Sequence, residues 1–169
     1  MLAGTGGNGG GALVCARRLH TWGVQVQVVV TREDDTFTSV PAHQLDILRR
    51  MQVPIALAAA VTQAGSAQLI VDDIIGYSLS GAPRSAAAAL IRWANAHGAP
   101  ILALDTPSGI DTTTGAVFDP AIRATATMTL ALPKAGLRAP GSSRRSASCT
   151  WRISACRHSS TLRRRSGCT

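Results

Sequence analysis

"GTGGNGGGALVCARRLHTWG", residues 4–23, holds seven glycines and one asparagine and runs directly into an apolar, arginine-bearing segment. A loop so poor in side chains offers mainly backbone N–H groups, and it lets the chain approach a ligand or a neighbouring strand closely. Gly4, Gly6 and Gly9 satisfy G-x-G-x-x-G, and Glu33 follows the next strand, which is the pattern of a dinucleotide-binding turn. Gly10 and Gly11 continue the run past that pattern, and Asn8 adds an amide. A turn used only for tight strand-to-helix packing reads the same way, so the loop alone does not decide. No Gly-Lys-Ser/Thr follows, which excludes a nucleoside-triphosphate P-loop.

Outward from the loop, short apolar runs alternate with helical stretches. Residues 12–21 place Leu13, Val14, Ala16 and Leu19 at helical spacing, with Arg17, Arg18 and His20 near the negative helix end and Gly23 just beyond. Residues 24–30 read as a strand, 42–52 as a helix and 68–75 as a strand buried on both faces with acids at its downstream end. Residues 86–96 read as an alanine-rich helix stopped by Gly98 and Pro100, and 101–105 and 125–132 as two more buried strands. Met1 and Leu2 leave only a short, clipped first strand before the loop. No internal repeat is present. The alternation predicts an α/β domain with a mostly parallel sheet covered by helices on both sides.

Charge divides the chain in two. Residues 1–137 hold nine Lys/Arg and nine Asp/Glu, whereas residues 138–169 hold eight arginines, no acid, eight serines and three of the four cysteines. The body is neutral, and the net charge of +8 belongs to the tail. That tail has no sustained apolar period, so it is expected to be disordered or loosely packed, with the abrupt composition of an out-of-frame ending. Its arginines would attract phosphate backbones without specificity, so no specific nucleic-acid partner is expected. The cysteines lack paired metal-ligand spacing, and no apolar run approaches the roughly 20 residues that span a bilayer. A cytoplasmic protein without a membrane segment is the expectation.

In a sheet of this kind ligands sit beyond the carboxyl ends of the strands. Three such ends carry polar chemistry here: the glycine loop, "VDDIIGYSLSGAPR" (71–84) and "LDTPSGID" (104–111). Asp72 and Asp73 close one buried strand, and a carboxylate there needs a cation or donors to offset its desolvation. Asp105 stands at the same point of a neighbouring strand, and the Pro-Ser-Gly turn after it aims Ser108 at the crevice. Carboxylate, amide and hydroxyl oxygens are the hard ligands of alkali and alkaline-earth cations, so a small cation site fits this set.

The glycine stretch, "VDDIIGYSLSGAPR", "LALDTPSGIDTTTGAV" and "LALPKAGL", in this order and spacing, resemble the NAD(P)H-hydrate epimerase family, the YjeF N-terminal domain, over about residues 1–137. The resemblance implies a Rossmann-like three-layer αβα sandwich, often dimeric. It implies an isomerase of nicotinamide nucleotide repair, which interconverts the R and S epimers of hydrated NADH and NADPH as substrates. An ADP/ATP-dependent dehydratase then restores the S form. It further implies a bound potassium ion on Asn8, Asp72 and Ser108, and Asp105 as the acid and base that contacts substrate. Gly7, Asn8, Gly9, Gly10 and Gly11, together with Gly76, Tyr77, Ser78, Leu79, Ser80, Gly81 and Ala82, would lie along the substrate. The chain departs from the family pattern at Gly7 and Gly11, where an asparagine and an aspartate are usual, and at Tyr77-Ser78, where Thr-Gly is usual. Lys134 matches a family loop and takes no assigned role. The departures leave a second reading open, a catalytically degenerate domain or a non-enzymatic nucleotide-binding scaffold. A nicotinamide-dependent oxidoreductase would need a catalytic Tyr-Lys or His pair, and none is evident.

Overall fold

The computed structural model describes residues 1–130, 134–138 and 149–152. Among the described residues seven strands form one sheet in the order β3-β2-β1-β4-β5-β6-β7. They are β1 (Leu2–Ala3), β2 (Val28–Val30), β3 (Ile55–Leu57), β4 (Ile70–Asp73), β5 (Ile101–Leu104), β6 (Ala126–Leu130) and β7 (Cys149–Arg152). Every pairing is parallel. Among the described residues the α-helices that connect them are α1 (Gly7–Thr21), α2 (Ser39–Arg50) and α3 (Ser85–His97). The expected Rossmann-like α/β sandwich is therefore present, with its reversal of strand order between β1 and β4.

Side-chain alternation along the strands builds two cores. Ala3, Val28 and Val30 pack with Leu13, Ala16, Leu45 and Leu48 under α1 and α2. Leu2, Val29 and Ile70 pack with Leu90, Ile91 and Ala94 under α3. Neighbouring residues of one strand thus serve opposite faces. Leu2 pairs with Asp72 and Ala3 with Asp73, so the two aspartates also part, Asp73 toward the α1 face and Asp72 toward the α3 face.

Several boundaries differ from the sequence reading. Helix α1 begins at Gly7 rather than at residue 12, although glycine is among the poorest helix formers. Packing overrides propensity there: a Cβ at Gly9 would run into the Gly4 carbonyl, and one at Gly10 would come within 3.1 Å of the Pro41 ring. Helix α2 begins at Ser39 and tolerates Pro41, whose missing N–H falls in the first turn, where it has no intrahelical acceptor. Strand β2 keeps only Val28–Val30, and β3, a short edge strand of partly exposed residues, has no periodic signature to find. Within the Arg/Ser-rich tail, Cys149–Arg152 pair with β6 as a seventh strand; the remainder of the tail beyond Arg138 lies outside the described residues. Among the described residues no helix is long and apolar enough to cross a membrane.

The close approaches make the glycines unequal. Gly9→Ala should cost about 2 kcal/mol or more in chemical denaturation, because its neighbour is backbone that cannot give way. Gly7→Ala, with no atom within 4 Å of the added carbon, should change stability by less than about 1 kcal/mol.

Candidate active site

Gly4 ends β1 by donating its N–H to the Asp73 carbonyl at 3.1 Å. The chain then turns into α1 through Gly6, an N-cap with no side-chain hydrogen bond, and the first turn carries no acid. The first N–H groups of a helix have no intrahelical acceptor, so those of Gly7, Asn8 and Gly9 are left to whatever occupies the space before them. That space is a cleft of about 390 Å³, lined by residues 4–9, Thr31, Arg32, residues 74–78 and residues 84–87. Two exposed guanidinium groups, Arg32 and Arg84, stand on its wall. A helix start with two arginines is a setting for an anionic ligand.

Of the residues expected along a substrate, six line the cleft, whereas Asp105, Gly10, Gly11 and residues 79–82 are not among its lining residues. Gly7, Asn8, Gly9, Gly76, Tyr77 and Ser78 line the cleft. Gly10 lies instead against Pro41, Gly11 faces the Asp73 carboxylate at 3.5 Å from an added Cβ, and residues 79–82 continue the loop without lining the cleft. Ser78 is not among the residues at positive φ, so the serine in place of the family's glycine stores no backbone strain. Tyr77 is exposed on the rim.

Asp72 and Ser108, 36 residues apart, meet fully buried beneath this loop. The Ser108 N–H donates to Asp72 Oδ2 at 2.8 Å and its hydroxyl to Oδ1 at 2.7 Å. The Ser108 hydroxyl in turn accepts the Ile75 N–H at 2.9 Å. Burial pushes the Asp72 carboxyl up to about 6 against the pull of the Ser108 and Ile74 donors. Asn8 reaches the same segment: its amide lies over Gly76, where any Cβ would run into it. The segment Ile74–Gly76 thus meets the Asn8 amide at Gly76 and the Ser108–Asp72 pair at Ile74 and Ile75.

Sequence reasoning assigned no role to Asp73. It is buried, and burial first, then the Asp72 charge, raises its carboxyl to about 8, while Asn8 and the Ala12 N–H act as donors to it and Asp105 adds repulsion. Its neighbour in this field, Asp105, follows β5 with φ +66°, a left-handed conformation that a residue with a β-carbon adopts at a cost of order 1–3 kcal/mol. Its N–H donates to the Met128 carbonyl at 2.8 Å, and its carbonyl accepts the Thr129 hydroxyl at 2.9 Å. Its Oδ1 accepts the Leu130 N–H at 3.1 Å and forms an ion pair with Lys134. Lys134 was visible only as part of "LALPKAGL", and nothing in its spacing marks Asp105 as its partner. Among the described residues no three His, Cys, Asp or Glu form a metal cluster, so a cation here would rest on mixed oxygen ligands.

The two raised carboxyls make stability depend on pH. Both lie above their ordinary value of 3.8, so the folded protein keeps protons that the unfolded chain has released. Their contribution is full below about pH 4 and is lost as pH rises through about 6 and about 8. The Met1 amino group, lowered to about 6 by burial, works in the opposite sense, so the variant must be compared with the wild type. Asp73→Asn should flatten the fall of melting temperature between pH 6 and 9 relative to the wild type. Equal slopes would show that Asp73 is not the titrating group.

The model of the YjeF-related protein N-terminus family matches residues 1–136. An NAD(P)H-hydrate epimerase of Dehalogenimonas lykanthroporepellens is 40% identical over 141 residues, covering 81% of this chain and 55% of that protein. The epimerase of Limosilactobacillus fermentum is 37% identical, over 81% of this chain and 65% of its own length. A bifunctional NAD(P)H-hydrate repair enzyme Nnr of Salinibacter ruber is 39% identical, and the match spans 82% of this chain but 28% of that protein. The chain therefore spans between about a quarter and two thirds of these relatives. In fold it is similar to the crystal structure of yeast ynu0, with a TM-score of 0.74, 24% identity, and coverage of 90% of this chain and 63% of that one. On the family match over residues 1–136, the chain belongs to the YjeF-related protein N-terminus family.

Proposed function

We propose that this domain interconverts the R and S epimers of hydrated NADH and NADPH, with Asp105 as the proton-transferring group and a potassium ion bound beside it. The relatives named NAD(P)H-hydrate epimerase support the reaction. The observation that carries it on this chain is Asp105 itself, a buried carboxylate held in a strained left-handed conformation just after β5. The N–H groups of Gly7, Asn8 and Gly9, with Arg32 and Arg84, suit the pyrophosphate of a dinucleotide. Asp105 would protonate the hydroxyl leaving the hydrated ring carbon. The carbon is then a cation stabilised by the adjacent ring nitrogen, and water returning to its other face inverts the centre while Asp105 recovers a proton.

The donor chemistry fits potassium. Asp72 is fully buried and its partners are all N–H or O–H donors, so no cation offsets its charge within its own hydrogen-bond set. Asn8, Asp72 and Ser108 offer only amide, carboxylate and hydroxyl oxygens, the hard ligands such an ion takes. When bound, potassium would neutralise charge accumulated beneath the phosphate-binding loop. The bifunctional repair enzymes among the relatives support coupling to a dehydratase that consumes one epimer. A second reading, a nucleotide-binding module without catalysis, is favoured by Gly7 and Gly11 standing where the family carries an asparagine and an aspartate.

An R/S hydrate mixture with an S-specific dehydratase and potassium separates the two. Catalysis drives consumption to completion, and Asp105→Asn should slow it by about 10²- to 10⁴-fold. Consumption that stalls at half with the wild type favours the binding module. At equal ionic strength, potassium chloride should raise the melting temperature over tetramethylammonium chloride, and Asp72→Asn should erase that difference. An equal response in the variant would exclude Asp72 as a ligand.

A further inference from the structure

The lysine of "LALPKAGL" stands where β6 has ended, immediately before a 3₁₀ turn at Ala135–Arg138. That turn is clamped rather than loose. The Gly136 N–H donates to the Thr112 carbonyl at 2.8 Å, and a Cβ at Gly136 would run into the Asp111 carbonyl. The Leu137 N–H closes back on the Lys134 carbonyl at 3.1 Å, and the Leu137 side chain is buried. The backbone that carries Lys134 is thereby fixed against the loop that follows the Pro-Ser-Gly turn.

From this base the Lys134 side chain runs inward, 19% exposed, and its ammonium donates to the Leu130 carbonyl at 2.7 Å and to Asp105 Oδ1. Oδ1 also accepts the Leu130 N–H at 3.1 Å. Both donors converge on one oxygen of the carboxylate, and among the described residues Oδ2 has none. A carboxylate whose two oxygens are so unequal cannot rotate without breaking two hydrogen bonds, one of them charge-assisted. Asp73, at the end of β4, repels Asp105, so the Lys134 ammonium is also what opposes a displacement of the carboxylate away from that neighbour.

Resting on the reading that Asp105 moves the proton, we propose that Lys134 is its positioning residue: it ties down Oδ1 and leaves Oδ2 as the oxygen that exchanges a proton with the substrate. The assignment separates Lys134 from a mere strut. A strut needs only length and packing, whereas this role needs a donor at Oδ1 and acts only through Asp105.

The test uses the full chain with Lys134→Met, Lys134→Arg and Asp105→Asn. Lys134→Met should lower kcat about 10- to 100-fold with KM changed by less than about threefold, because the reacting group is misplaced while the phosphate-binding loop is untouched. Lys134→Arg, which keeps a cationic donor, should recover most of the loss. In the Asp105→Asn background Lys134→Met should add less than about a twofold further loss. Losses that multiply in the double variant, or an arginine no better than methionine at equal melting temperature, overturn the proposal. The ¹³Cγ resonance of Asp105, assigned by its disappearance in Asp105→Asn, should move in Lys134→Met and stay near its wild-type position in Lys134→Arg. This second readout is independent of turnover. If the wild type epimerises nothing, the proposed function fails, and the positioning role then stands or falls on the resonance, with an unmoved signal in Lys134→Met overturning it.

Discussion

The contact on which the rest depends is backbone against backbone, where the start of the glycine loop lies on the end of β4. No side chain fits at Gly4, where it would meet the Ile74 carbonyl, or at Gly9, where it would meet the carbonyl of Gly4. These two approaches, with the Gly4 N–H on the Asp73 carbonyl, hold a two-residue strand in the middle of the sheet and start α1 directly above β4. The free helix start, the Asn8 amide over Gly76 and the Ile75 link to Ser108 are all consequences of that seating. A looser turn would leave the same residues in the sequence and bring none of them together.

What the sequence made legible follows from which forces are local. Buried parallel strands announce themselves as apolar runs, and β4, β5 and β6 lie within the stretches read as strands. Amphipathic stripes located the bodies of α1, α2 and α3. The glycine start of α1 was illegible because propensity argues against it, and only contact with the Gly4 carbonyl and with Pro41 of α2 reverses the preference. Strand β3 was illegible because three partly exposed residues on the sheet edge carry no period.

The site was legible in a similar way. Asp72, Asp105 and Ser108 could be singled out because a polar residue at the end of a buried strand is an anomaly within its own segment. The joining of Asp72 with Ser108 was then reachable by topology, since β4 and β5 are neighbours. Asp73 was harder, because alternation sends it to the opposite face from Asp72 and its partners lie on α1. The link from Lys134 to Asp105 depends on a turn seated by Thr112 and Asp111, and no pattern within residues 130–138 encodes it.

Charge explains why this corner of the fold is built from so many hydrogen bonds. Three carboxyls, Asp72, Asp73 and Asp105, are buried around two adjacent strand ends, and among the described residues the Lys134 ammonium pairs directly with one of them, Asp105. Desolvation pushes Asp72 upward, and desolvation with the Asp72 charge pushes Asp73 upward, which costs the folded state at neutral pH. A fold selected only for stability would replace Asp73 with an apolar residue, as its neighbours on the α1 face are apolar. Donors from Ser108, Ile74, Asn8 and Ala12 reduce the penalty without removing it. The remaining negative field lies beneath a loop whose exposed N–H groups and arginines carry the opposite sign, so an anionic ligand above and a cation below would each relieve the other's repulsion. Binding of the two would therefore be coupled through the same glycine loop that seats β1 on β4, and a change at either Gly4 or Gly9 would act on both.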